Sequence, residues 1–162
     1  MDKHTLRIAG IIQESVCDGP GIRLVVFTQG CFRHCKGCHN PQTHDPNGGY
    51  DISVDGLLEM VSKNPLLDGV TLSGGEPFLQ AGVLAEFAEK CHQHDLSVMV
   101  YTGYQYEEIL MQEENADWQK LLHVADILVD GPFIQEKAAP EIPFIGSSNQ
   151  RIFELTLMRS QV

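Results

Sequence analysis

The chain reads as an α/β protein, a partial, open (β/α) barrel of about five or six mostly parallel strands. Two observations carry that reading. Short apolar runs alternate with helical-period segments, the pattern of strand–helix–strand units whose right-handed crossovers make the strands parallel. The length, 162 residues, suits one domain (residues 1–162) with a real core. It falls well short of the roughly 250 residues typical of a closed eight-unit barrel. The sheet is therefore expected to stay splayed, with an edge open to a large partner.

The elements follow in order. Leu6–Gln13 and Ile22–Thr28 read as strands, the second carrying the nearly continuous apolar run Leu24-Val25-Val26-Phe27. Asp18-Gly19-Pro20-Gly21 between them is a tight turn. A loop of about residues 29–50 holds most of the cysteines. Ser53 is placed to cap a helix running to Ser62, with Leu57, Leu58 and Val61 on one face, and Asn64-Pro65 ends it. Gly69–Ser73 is a strand, Gln80–His94 a helix with Val83, Leu84, Phe87, Ala88 and Cys91 at helical spacing, and Leu96–Thr102 a buried strand. Helices are expected near Glu107–Glu113 and Trp118–His123, and strands at Asp126–Asp130 and Arg151–Leu157. The proline-rich stretch Gly131–Asn149 reads as a long loop. No repeat or low-complexity segment interrupts the chain.

A net charge of −11, with only eleven scattered basic residues, argues against a nucleic-acid binder, because phosphate contacts need clustered Lys and Arg. The acidity serves solubility or, alternatively, a positively charged protein partner. No run approaches the roughly 18 apolar residues that span a bilayer. Met1-Asp2-Lys3-His4-Thr5 has no basic start followed by an apolar stretch. A cytoplasmic setting without membrane partners is the expectation, and the odd cysteine count of five fits poorly with a disulfide framework.

The sharpest local signal is the triplet Cys31, Cys35 and Cys38. Cubane clusters are normally held by four thiolates, and closed zinc sites by four ligands. Three cysteines at this spacing can hold three irons of a [4Fe–4S] cube and leave the fourth open for chemistry. Two other readings stand beside it. A zinc site could recruit His34, His39 or His44, and Cys35-Lys36-Gly37-Cys38-His39 matches the haem-attachment pattern, which would leave Cys31 unexplained.

Ser73-Gly74-Gly75-Glu76-Pro77 ends a strand and opens a helix, where free backbone amides can meet a ligand, or where a plain βα turn would serve. Thr102-Gly103 and Asp130-Gly131-Pro132 also end predicted strands, the edge at which functional groups gather in open parallel sheets. Asp130 is either a surface cap or a group aimed at an ammonium or cation. Gly146-Ser147-Ser148-Asn149-Gln150-Arg151 is a polar patch that also reads as a solvated turn. Cys91 lies on an apolar helix face and behaves as a small hydrophobe, while Cys17 has no assigned role.

Together the cysteine triplet and the downstream Gly-Gly-Glu-Pro resemble the radical S-adenosylmethionine (SAM) enzymes. Asp18-Gly19-Pro20-Gly21-Ile22-Arg23, Gln29-Gly30-Cys31 and Cys38-His39-Asn40-Pro41 are similar to the glycyl-radical activating enzymes of that superfamily. The short length, Leu128-Val129-Asp130-Gly131-Pro132-Phe133 and Gly146–Arg151 are most similar to those acting on the anaerobic ribonucleoside-triphosphate reductase. The resemblance extends from about Gly10 to Ile152. Two positions depart from it: His44 stands where tryptophan is usual, and Ile145 where arginine precedes Gly-Ser.

The resemblance implies a partial barrel of the radical SAM type, a [4Fe–4S] cluster on Cys31, Cys35 and Cys38, and SAM chelating the open iron. Reductive cleavage would give a 5′-deoxyadenosyl radical that generates the glycyl radical on the reductase subunit, with no side chain as general acid or base. His39 and Asn40 would form the adenine side of the pocket, and Gly74, Gly75 and Glu76 would receive the SAM amino group. Thr102 and Asp130 would serve its ribose or carboxylate region, with a monovalent cation as an optional component. Gly75→Val is then expected to keep the cluster and weaken SAM binding. A flavodoxin-like electron donor would suit the family. Activation of pyruvate formate-lyase, a deazapurine ring-contracting synthase and a zinc-stabilised binding module remain as alternatives.

Overall fold

In the computed structural model, which describes residues 4–161, the run Leu24–Phe27 lies within β2 (Arg23–Thr28), an interior strand. Met1–Lys3, on which the reading of the N-terminus partly rested, lie outside the described residues. Chain order continues through β3 (Tyr50–Ser53), α1 (Val54–Ser62), β4 (Gly69–Gly74), α2 (Ala81–Gln93) and β5 (Ser97–Tyr101). Then come α3 (Tyr106–Met111), α4 (Ala116–Val124), β6 (Ile127–Asp130), β7 (Arg151–Glu154) and α5 (Leu155–Ser160). With β1 (Thr5–Ser15), the strands form one open sheet in the order β3-β1-β2-β4-β5-β6-β7.

The expectation of five or six mostly parallel strands is corrected here. Among the described residues the sheet has seven strands and is mixed: β2–β4, β4–β5 and β5–β6 are parallel, while β1–β3, β1–β2 and β6–β7 are antiparallel. The parallel centre is where strand and helix alternate, and both flanks are made by returning strands. β3 lies at the end of the stretch read as loop; it is four residues long and largely exposed, so it has almost no apolar signature. It pairs with the first half of β1, placing Ile52 opposite Leu6. The last strand ends at Glu154 rather than Leu157, because Asp126 captures the start of α5. Its main-chain oxygen accepts from Leu155 N at 2.8 Å and Thr156 N at 3.3 Å.

The caps and helices follow local chemistry. Ser53 caps α1 by accepting from Gly56 N at 2.9 Å. In α2, Leu84, Phe87, Ala88 and Cys91 are buried, and burial pushes the Cys91 thiol up to about 12. Cys91 is therefore the protonated hydrophobe its helical position suggested.

Strand alternation sorts the two sheet faces. Leu24, Val26, Val70, Leu72, Val98, Val100 and Leu128 join residues of α1 to α5 in one apolar core. Arg23, Val25, Thr71 and Met99 are buried on the strands but outside that cluster. The helices thus cover one face and leave the other for different work.

Arg23 organises that second face. It is fully buried, and burial lowers its basicity against the opposing pull of Asp126 and Asp68. Its guanidinium donates to Thr71 Oγ1 (2.8 Å), Pro20 O (3.0 Å), Ser97 Oγ (2.9 Å), Val70 O (2.8 Å) and Ser97 O (3.1 Å). Thr71 Oγ1 in turn donates to Asp18 O at 2.7 Å. The expected tight turn is instead a longer bend over residues 16–22, and Arg23 at the start of β2 staples it to β4 and β5. Arg23→Met is expected to cost about 3 kcal/mol by orphaning these acceptors. Thermal unfolding should then shift down by roughly 6–12 °C.

Candidate metal centre and cofactor pocket

The cysteine loop leaves β2 through Gln29 and Gly30, and its base is closed by hydrogen bonds. Gln29 Nε2 donates to Gln42 O (2.9 Å) and Asp45 O (2.7 Å). Gly30 N donates to Thr43 O (2.6 Å) and Cys31 N to His44 O (3.1 Å). Within the loop Cys38 N donates to Cys35 O at 3.1 Å, a tight turn that brings these two cysteines onto one side. Asn40 N points at Cys38 Sγ, 3.4 Å away, the kind of donor that steadies a ligating thiolate.

None of the three cysteines is in a disulfide, and all are half-buried. Burial pushes the Cys31 thiol up, opposed by the backbone N–H groups of Arg33 and His34. Such a thiol keeps its proton until a metal displaces it. Among the described residues, no three His, Cys, Asp or Glu side chains converge on a single ion. A cubane does not require that, since it offers a separate iron to each thiolate. Three soft thiolates on one cavity wall, with a sulfur-directed amide, fit such a cluster. The loop imidazoles have other partners: His34 and His44 meet through their Nδ1 atoms at 3.2 Å, and the His39 ring packs on Phe133 with centroids 5.0 Å apart.

All three thiols open onto a cavity of about 770 Å³ on the sheet face opposite the helix core. That volume lies within the usual 300–1,000 Å³ or so of small-molecule sites. His39, Asn40, Gly74, Gly75, Glu76 and Thr102 line it too, so nine of the ten residues singled out in the sequence meet in one place. Asp130 is the exception. It is buried at the end of β6, outside the lining. Its carboxylate accepts from Tyr106 N (2.8 Å) and from Arg151 Nε (3.1 Å), Nη2 and main-chain N (3.2 Å). Strand-end position placed Asp130 at the correct edge, but Arg151 from β7 occupies it.

Glu76 ties the ends of β4 and β5 together. Oε1 accepts from Gly103 N (2.7 Å), and Oε2 from Thr102 Oγ1 (2.8 Å) and Phe78 N (3.2 Å). Burial pulls its pKa up, while these donors and nearby Arg33 pull it down. Gly74 sits at φ 99°, and a Cβ on Gly75 would overlap the Gly30 carbonyl oxygen. The Gly-Gly pair is thus needed for backbone packing against the cysteine loop. Arg33, which the sequence did not mark, lies over the Tyr104 ring at 4.5 Å and 3.8 Å from Glu108, linking the loop to the β5–α3 connection. Phe27, Tyr101, Phe133 and Phe144 also line the cavity. For Phe27 and Tyr101 the only sequence signal was parity along β2 and β5. The two departures lie here as well: His44 meets His34 edge-to-face, and Ile145 lines the cavity.

The profile of the 4Fe-4S single cluster domain family matches residues 17–153. The chain is 34% identical over 152 residues to the anaerobic ribonucleoside-triphosphate reductase-activating protein of Haemophilus influenzae, covering 88% of this chain and 94% of that one. It is 30% identical over 155 residues to the protein of the same name from Enterobacteria phage T4, covering 86% and 90%. It is also 41% identical over 113 residues to the pyruvate formate-lyase-activating enzyme of Clostridium pasteurianum, covering 64% of this chain and 48% of that one. No helix among the described residues is long and apolar enough to cross a membrane.

Proposed function

The chain belongs to the 4Fe-4S single cluster domain family and to that of the anaerobic ribonucleoside-triphosphate reductase-activating proteins, and from that membership we propose that it is a radical SAM activase. Its target is a backbone glycine of the reductase subunit. The observation that carries this reading is the single cavity shared by the three loop thiols and the ends of β4 and β5. Bound there, a reduced [4Fe–4S] cluster and SAM supply reductive sulfonium cleavage and a carbon radical able to take a hydrogen atom.

The chain's own part is holding and excluding. Cys31, Cys35 and Cys38 each provide one thiolate and leave a fourth iron without a protein ligand. His39, steadied by Phe133, and Asn40 form the adenine side. The strand end Gly74-Gly75-Glu76 receives the SAM amino group; Glu76, held by Thr102 and Gly103, fixes the spacing of that wall. Thr102 also faces the ribose or carboxylate region, where a monovalent cation can assist. The sheet, with helices on one face and the cavity on the other, acts as a partial radical SAM barrel. The setting is cytoplasmic, with a flavodoxin-like donor.

Asp130 acts at one remove, by anchoring Arg151 and the start of α3. Asp130→Asn is expected to lower the melting temperature while leaving SAM affinity within about twofold. A large loss of SAM binding in a fully folded variant would place Asp130 in direct contact after all.

The deciding experiment mixes reconstituted protein anaerobically with the reductase subunit, SAM and dithionite, and looks for a glycyl signal by electron paramagnetic resonance. The identity to the Clostridium pasteurianum enzyme favours one second reading, so pyruvate formate-lyase is the parallel sample. A signal with that enzyme alone would reassign the target. A colourless zinc protein would overturn the cluster itself.

A further inference from the structure

The cavity mouth is apolar in a chain of net charge −11. Ile12 and Val16 of the first hairpin line it, Val16 being 77% exposed, and so do Ile142, Pro143, Phe144 and Ile145 from the segment after β6. Of Pro140–Gly146, only the charged Glu141 stays out of the lining. Large apolar side chains left open together at a site mark a surface that something covers.

This strap is preformed. Its neck is closed by the Ala138–Ser147 bridge, by Ala139 N donating to Gly146 O (3.0 Å) and by Ser148 N donating to Lys137 O (2.8 Å). Gln150 Oε1 accepts from Gly146 N (2.7 Å) and Ser147 N (3.2 Å), while Asn149 Nδ2 donates to Pro132 O (2.8 Å). Its tip is pinned by Tyr101 Oη donating to Phe144 O at 2.6 Å, with Phe144 held at φ 69°, an uncommon conformation for a bulky residue. The Gly146–Arg151 patch is thus the anchor of a rigid apolar wall, and Ser147 within it is fully buried.

We propose that this mouth is the specificity element of the activase, gripping the target glycine through apolar side chains that flank it. The inference rests on the activase reading and deepens it. These residues share one cavity with the three thiols, so a segment that enters it meets them. A glycine offers no side chain to recognise, so the recognition falls to its neighbours, whose side chains alternate to either side of an extended segment. A wall already ordered loses little entropy on binding. With Ile142, Phe144 and Ile145 in the lining, this protein selects an apolar flank.

The test uses the full chain with Val16→Asp and Ile142→Asp, one in each of the two segments. Both are expected to raise the Kd for the reductase subunit by about tenfold or more. Glycyl signal should fall at low subunit concentration and recover at high concentration. Cluster absorbance and partner-free cleavage of SAM with dithionite should be unchanged. Unaltered Kd in both variants overturns the inference and leaves the activase reading intact. Absence of SAM cleavage in the unsubstituted protein overturns the activase reading instead, and the Kd comparison still decides whether the mouth is the docking surface.

Discussion

Cys35→Ala is expected to strip the protein of its cluster and, with it, of SAM cleavage. Cys35 sits between the other two ligands, and its carbonyl closes the turn that presents Cys38. With only two thiolates left, two irons of the cube lie open to water, and clusters that lose protein ligands are lost to solvent and chelators. Anaerobically reconstituted protein should bind about four irons per chain, and the variant well under half of that, with its visible absorbance gone. Cys17→Ser serves as the control. Cys17 also lines the cavity, but it belongs to the first hairpin, where Ser15 and Asp18 hold it. Unchanged iron content in Cys17→Ser alongside loss in Cys35→Ala makes the triplet the ligand set. The reverse would move the cluster to the hairpin side.

The interior strands were legible because burial on both faces leaves an apolar run that little else mimics, as at Leu24–Phe27 and Val98–Val100. The flanks were not. Tyr50–Ser53 is a strand only because β1 lies beside it, and its polar, exposed residues carry no pattern of their own. Leu155–Ser160 became a helix because Asp126, from another part of the chain, captures its first amides. In the site, residue type singled out the thiols and strand-end position singled out Glu76 and Thr102, and all five line one cavity. Neither signal could show that Arg151 fills Asp130, or that Tyr101 reaches Phe144, since both depend on segments far apart in sequence. Asp18–Gly21 reads as a tight turn but lies in a longer run of bends that enters β2 at Arg23, and in Gly146–Arg151, read as a solvated turn, Ser147 bridges to Ala138 and Arg151 opens β7. Their buried members, Arg23 and Ser147, do the anchoring.

Gly75→Val shows how packing alters an expectation drawn from sequence. A strand-end glycine that only let SAM approach could be replaced with loss of SAM affinity alone. Here the space beside Gly75 is filled by the cysteine loop: a Cβ would overlap the Gly30 carbonyl oxygen and come within 2.9 Å of its carbon and 3.1 Å of Thr43 O. These are backbone atoms that cannot swing aside as a flexible side chain would. Two hydrogen bonds clasp the same place, Gly75 N to Thr28 O and Glu76 N to Gly30 O, each 2.8 Å. Valine must therefore part β4 from the loop base, an overpacking cost of about 1–3 kcal/mol or more. The bond from Gly30 N to Thr43 O that closes the loop is strained with it. Iron retention and SAM affinity should fall together, the latter by roughly tenfold or more, with Gly75→Ala intermediate in both. Iron analysis and calorimetric SAM titration separate the cases. Full iron occupancy with weakened SAM binding would restore a purely ligand-facing role for Gly75, and no change in either would show that the loop base yields without cost.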